Sequence, residues 1–156
     1  DIVYSWGVLH HTGRMWKALG NVSHLLKNGG ILFISIYNDM GIKSERWLIV
    51  KKFYNKLPKF LKWIIFVPAF LKIWIPDLIK DFFKLKPFAS WLQYQKKESR
   101  GFDPFTDAID WIGGYPYEFA KPEDIYDFYI KKGFVLIKMK TCGGGIGCNE
   151  YIFKKI

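Results

Sequence analysis

The chain predicts an α/β fold built on a parallel sheet, and three observations carry that expectation. Asp1-Ile2-Val3-Tyr4-Ser5-Trp6 and Ile31-Leu32-Phe33-Ile34-Ser35-Ile36-Tyr37 are nearly continuous apolar runs of strand length, as strands buried on both faces read. A helical pattern separates them, and strand–helix–strand is the connection that joins parallel neighbours. Half of the 156 residues are hydrophobic and 19% are aromatic, which is enough to build a core and argues against disorder.

The elements follow in order. Gly7-Val8-Leu9-His10-His11-Thr12-Gly13 breaks the first strand. Residues 14–27 then read as a helix, with Met15, Ala18, Leu19, Val22, Leu25 and Leu26 at three- and four-residue steps. Asn28-Gly29-Gly30 closes it, because glycine accepts the left-handed conformation that ends helices. The second strand runs out into Tyr37-Asn38-Asp39. Open parallel sheets bind ligands beyond the carboxyl ends of their strands. Here those ends carry Ser5-Trp6-Gly7, His10-His11 and Tyr37-Asn38-Asp39.

Residues 41–100 differ in kind. They hold 14 Lys and Arg against 4 Asp and Glu, whereas the rest of the chain holds 10 of each sign. One segment therefore carries the whole net charge of +10, and such asymmetry points to an anionic partner. Arg46 to Leu57 reads as helix, with Trp47, Val50, Phe53, Tyr54 and Leu57 on one face. Pro58, Pro68, Pro76 and Pro87 then predict several short helices, since proline starts or breaks a helix. Phe60 to Ile79 is strongly apolar, but Lys62, Lys72 and Asp77 interrupt it before the ~20 residues that span a bilayer.

Residues 101–156 return to the sheet. Asp107 and Asp110 stand at helical spacing and read most simply as a solvated face. Trp111-Ile112-Gly113-Gly114-Tyr115-Pro116-Tyr117-Glu118 reads as an aromatic loop. Pro122 with Glu123 and Asp124 suits a helix start, where the dipole favours acids, and Gly133 stops that helix. Phe134 to Lys140, a turn over Gly143–Gly147 and Tyr151-Ile152-Phe153 predict a hairpin. The run Cys142-Gly143-Gly144-Gly145-Ile146-Gly147 is a turn rather than a phosphate cradle, because no helix can follow it. Cys142 and Cys148, six apart, fit neither a CxxC pair nor a zinc pattern, and no metal site is expected. Few cysteines and no visible signal peptide suit the cytoplasm.

The segments "DIVYSWGVLHHT…LLKNGGILFISIYND" and "AKPEDIYDFYIKKGFVLIKMKTCGGGIGCNEYIFKK" resemble the later half of a class I S-adenosylmethionine-dependent methyltransferase, of the type 11/12-like kind. The first resembles the family's fourth strand through its fifth, the second its last helix and closing antiparallel hairpin. The match covers about residues 1–40 and 103–156. The resemblance implies a partial Rossmann-like doubly wound sheet, with residues 41–100 as a helical, basic insertion or lid. It implies S-adenosylmethionine as cofactor and methyl transfer to a small-molecule or lipid-like acceptor. It also places the cofactor's glycine-rich turn and ribose-binding acid ahead of Asp1. The chain is therefore expected to be a fragment, the C-terminal part of one domain, that binds the cofactor weakly or not at all alone.

Candidate residues follow from this frame. Ser5, Trp6 and Gly7 would border the cofactor: small residues let backbone approach a ligand, and a Trp ring attracts a sulfonium. The alternative for Trp6 is packing against the helix. His10 or His11 could act as general base, since imidazole titrates near neutrality; the alternative is a loop histidine bonded to backbone. Tyr37, Tyr115, Tyr117 and Glu118 could line the acceptor pocket; the alternative is a tight Gly-Gly turn with buried aromatics. Segment 41–100 reads as a lid, an anionic membrane-surface patch or an RNA contact. Lysines interleaved with Trp63, Phe66, Phe70 and Trp74 suit an interface, and no RNA-binding motif is present, so nucleic acid is disfavoured. A peripheral place at the inner membrane surface is compatible with this. Two rival functions remain open: a non-catalytic membrane-associated module on the same scaffold, and an RNA methyltransferase.

Overall fold

The computed structural model describes residues 1–94 and 103–156. The last six residues of the 41–100 segment lie outside the described residues. The molecule is mixed α/β. Four strands form one mixed sheet: β1 (Ile2–Trp6), β2 (Ile31–Tyr37), β3 (Phe134–Lys140) and β4 (Cys148–Lys155), in the order β1-β2-β4-β3. β1 and β2 are parallel, with Ser5 opposite Ile34. β4 inserts antiparallel between β2 and β3, with Tyr151 opposite Ile34.

Six α-helices appear among the described residues: α1 (Met15–His24), α2 (Ile42–Lys56), α3 (Lys62–Phe83), α4 (Ala89–Leu92), α5 (Pro104–Gly113) and α6 (Pro122–Ile130). The chain divides into two compact units. The sheet unit comprises residues 1–48 and 116–156, and the helical unit comprises residues 49–115.

In the sheet unit, α1 and α6 cover one sheet face. Alternation puts Leu32, Ile34 and Ile36 on that face with Tyr151 and Phe153 of β4, and all five are fully buried. Met15 and Leu19 of α1 and Ile125 and Tyr129 of α6 close the same core. The Tyr129 hydroxyl donates to the Leu19 carbonyl at 3.1 Å and ties the two helices together. The open end of α1 is satisfied from afar: Lys155 donates to the carbonyls of Ser23 and Leu26 at 3.2 and 2.8 Å. That places a cation where the helix dipole is negative. Gly30 is required by closeness, since a Cβ there would stand 2.8 Å from Leu26 Cδ2 and 2.9 Å from the Lys27 carbonyl.

In the helical unit, Phe66 and Trp74 of α3 are buried, with rings against Phe105 of α5 and Trp91 of α4 at 5.0 and 4.8 Å. α5 begins with a strong cap: Asp103 accepts from the amides of Phe105 and Thr106 at 3.0 Å, and Pro104 fills the first turn, where its missing N–H costs nothing.

The structure corrects the sequence reading in two places. Pro58 and Pro87 separate α2, α3 and α4 as expected, but Pro68 and Pro76 do not break the chain: both lie inside the 22-residue α3. Both prolines sit on its exposed side, where a carbonyl that loses its N–H partner can bond to water instead. The aromatic loop starts at Gly114, because Trp111, Ile112 and Gly113 belong to α5, where Ile112 is buried. The helical unit begins within α2 and takes in α5. Among the described residues no helix is long and apolar enough to cross a membrane.

Candidate functional site

The carboxyl ends of β1 and β2 carry a contiguous group of polar and aromatic side chains. β1 leads into a 3-10 turn at Leu9–His11, held by the His11 amide donating to the Val8 carbonyl at 3.0 Å. This turn sets two adjacent imidazoles beside the end of β2. The His10 ring lies 4.1 Å from the Tyr37 ring and 4.6 Å from His11, and it is 1% exposed. His11 is only half-buried. Its Nδ1 lies 2.6 Å from the Pro116 carbonyl oxygen. A carbonyl can only accept, so Nδ1 carries the proton of this bond. In the neutral ring Nε2 is then left with its lone pair.

Residues 116–118 bring further side chains to this group. The Tyr117 ring stands 5.0 Å from Tyr37, and burial pushes its hydroxyl up to about 12, against a hydrogen bond from Ser44 that lowers it. Tyr117 is therefore a neutral phenol near neutral pH. Glu118 accepts from the Met15 amide at 3.0 Å through both carboxylate oxygens, and its own amide donates to the His10 carbonyl at 3.0 Å. A carboxylate at a helix N-terminus satisfies an orphan amide and complements the dipole. Glu118 thus joins the histidine turn to the start of α1.

Ser5, Trp6 and Gly7 stand at the adjoining strand end. The Trp6 indole donates to Glu150 of β4 at 3.1 Å, spanning Ser35, their common register partner on β2. Ser35 is buried, and its hydroxyl has no hydrogen-bond partner among the described residues. Gly7 has φ +73°, a conformation that other residues resist, and a Cβ built there would meet nothing within 4 Å. Backbone is therefore open to approach at that corner.

The glycine turn of the hairpin closes the end of β2. Asn149 donates to Asn38 at 3.0 Å and accepts from the Cys142 amide at 3.1 Å, while the Asn38 amide donates to the Gly147 carbonyl at 3.0 Å. The turn is thus bonded to the sheet. Cys142 and Cys148 are thiols at its two ends. Among the described residues no group of three His, Cys, Asp or Glu side chains could hold a metal.

Of the residues expected at the site, Ser5, Trp6, Gly7, His10, His11, Tyr37, Tyr117 and Glu118 all belong to the sheet unit. Tyr115 belongs to the helical unit and is exposed. Sequence reasoning missed Pro116 as the carbonyl that orients His11, Glu150 as the partner of Trp6, and the Asn38–Asn149 pair. Asn38 was visible as a polar residue ending an apolar run; nothing local marked the other three. No family model matches the chain, and no curated protein matches it.

Proposed function

We propose that the sheet unit is part of an S-adenosylmethionine-dependent methyltransferase acting on a small or lipid-like acceptor, with His11 as general base. The observation that carries this reading is the 2.6 Å contact between His11 Nδ1 and the Pro116 carbonyl, made at the carboxyl end of a parallel strand pair. The contact fixes the tautomer and aims the basic Nε2 away from the backbone that holds Nδ1. The partial doubly wound reading gains support from the parallel β1–β2 pair and from the closing hairpin that lays β4 against β2.

The residues present fit one flank of the cofactor. Gly7 leaves its backbone approachable, and Trp6, held by Glu150, offers a fixed π face to a cation. When bound, S-adenosylmethionine supplies an electrophilic methyl group. The chain's own part is to orient the acceptor and take its proton at His11 Nε2. Buried His10 and Tyr117 pack the imidazole and the Tyr37 ring in place and exclude water from behind them.

The test is His11→Asn in the full protein as expressed from its own gene. Asparagine keeps an N–H for the Pro116 carbonyl and removes the base. Turnover of labelled methyl should fall roughly 10²–10⁴-fold, cofactor affinity should hold, and the acid limb of the kcat–pH profile should vanish. Turnover within a few-fold of the parent would remove His11 from the chemistry. Failure of the full protein to bind S-adenosylmethionine by isothermal titration would remove the methyltransferase reading altogether.

A further inference from the structure

We propose that the solvent-facing stripe of α3 docks the protein on an anionic lipid surface. A helix on a globular protein ordinarily has one apolar face. α3 has two. Phe66, Ala69 and Trp74 are buried inside the helical unit. On the other side Ile64, Val67, Leu71, Ile75, Ile79 and Phe82 repeat at three- and four-residue steps, and every one of them is at least 44% exposed. At 3.6 residues per turn, Ile64, Leu71, Ile75 and Phe82 fall within a narrow arc. They form a stripe about 30 Å long at 1.5 Å per residue. This is an extended exposed apolar patch, of the kind that marks an interaction surface.

Charge selects the occupant. Lys72 borders the stripe, about 80° round the helix, whereas Lys62 lies on the far side, 4.7 Å over the Tyr54 ring, and Lys80 pairs with Asp77 there at 2.9 Å. The helix's two acids, Asp77 and Asp81, both turn away from the stripe. Asp81 is occupied, accepting from the amide and hydroxyl of Ser90 at 2.6 and 2.7 Å. The segment around α3 carries the chain's entire excess of +10. A second copy laid on the stripe would bring these like charges together, whereas acidic headgroups complement them. An exposed apolar stripe on a strongly basic segment suits a helix that lies in the headgroup boundary. α3 does not qualify as a span, so it would lie flat rather than cross. This surface is independent of the chemistry proposed for the sheet unit, and its assay needs no cofactor.

Co-sedimentation of the full chain with phosphatidylcholine vesicles, with and without phosphatidylglycerol, tests the proposal. Binding should require phosphatidylglycerol and weaken, but not disappear, as salt rises, because the buried stripe is insensitive to screening. Leu71→Glu/Ile75→Glu should lower affinity at least about a hundredfold, from two lost apolar burials. Lys72→Gln should lower it about fivefold at low salt, from one lost lysine–headgroup attraction. Leu71, Ile75 and Lys72 all avoid the buried face, and circular dichroism checks the fold; should the glutamate variant unfold, Ile64→Ser/Phe82→Ser decides. Equal vesicle binding by a folded stripe variant and the parent overturns the proposal. So does absence of vesicle binding, including the case in which sedimentation equilibrium finds a dimer that the stripe variant dissociates.

Discussion

Lys51 shows how a single side chain can set the pH dependence of a fold. It is fully buried in the helical unit, where its ammonium donates to the Trp111 carbonyl and lies 4.2 Å over the Trp111 ring. Burial lowers its pKa from 10.5 to about 7, against the Asp110 carboxylate, which raises it. In the unfolded chain the group titrates near its ordinary value. Between about pH 7 and 10.5 the unfolded chain therefore binds more protons than the folded one, and stability should rise with pH across that window. The limiting slope is about 1.4 kcal/mol per pH unit. Urea midpoints at neutral and alkaline pH check this: the parent should gain, and Lys51→Met should show little slope. A flat parent profile would mean that the ammonium stays hydrated in the fold. Neither Lys51 nor the orientation of His11 was legible in the sequence. Lys51 reads as one more lysine on a basic helix, and its partner carbonyl lies sixty residues away. The pair His10-His11 was visible at a strand end, but the Pro116 carbonyl that separates their roles is 105 residues away. Side-chain chemistry was readable; long-range backbone partners were not.

Elements were legible where periodicity and local caps agree. β1, α1 and β2 follow the apolar pattern, and the hairpin follows its glycine turn, because these signals lie within a few residues of what they shape. α3 departed from its local signal. Proline in a helix interior costs about 3 kcal/mol, yet two are carried there. The burial of Phe66, Ala69 and Trp74 outweighs that cost, and exposure of the proline side eases it. Pro68→Ala would restore an N–H to the Ile64 carbonyl. It would also loosen the unfolded chain, which costs about 0.4–1 kcal/mol. The net expectation is a gain of about 2 kcal/mol in the unfolding of the helical unit, read by denaturant midpoint at unchanged m-value. A loss of stability would show that a bend at Pro68 is needed for the packing of Phe66 and Phe70 on Phe105.

For the whole molecule, the division into two units has an energetic counterpart. Every residue of the main core, from Leu9 through Ile34 and Tyr129 to Phe153, lies in residues 1–48 or 116–156. Phe66, Ala69, Trp74, Ala108 and Ile112 are buried within residues 49–115. The sequence announced this split through charge, since the basic excess stops where the sheet resumes. The compact helical unit also takes in α5, whose strong local cap and apolar face read as easily with the sheet as with the helices. Two cores separated in this way should not need each other to form. Replacing residues 49–115 by a flexible Gly-Ser linker should therefore leave the sheet unit folded, closed by β2–β4 pairing and by the Tyr129–Leu19 hydrogen bond. The linker closes its loop at a cost that grows only with the logarithm of its length. Dispersed amide resonances and protected amides in β2 and β4 are the expected result. Collapse to an unprotected chain would show that the sheet core is stabilised by the helical unit. The proposed methyl-transfer site and the proposed lipid-docking stripe would then have to be studied together. Retention of the fold would let the two units be measured apart, with vesicle binding lost from the shortened protein.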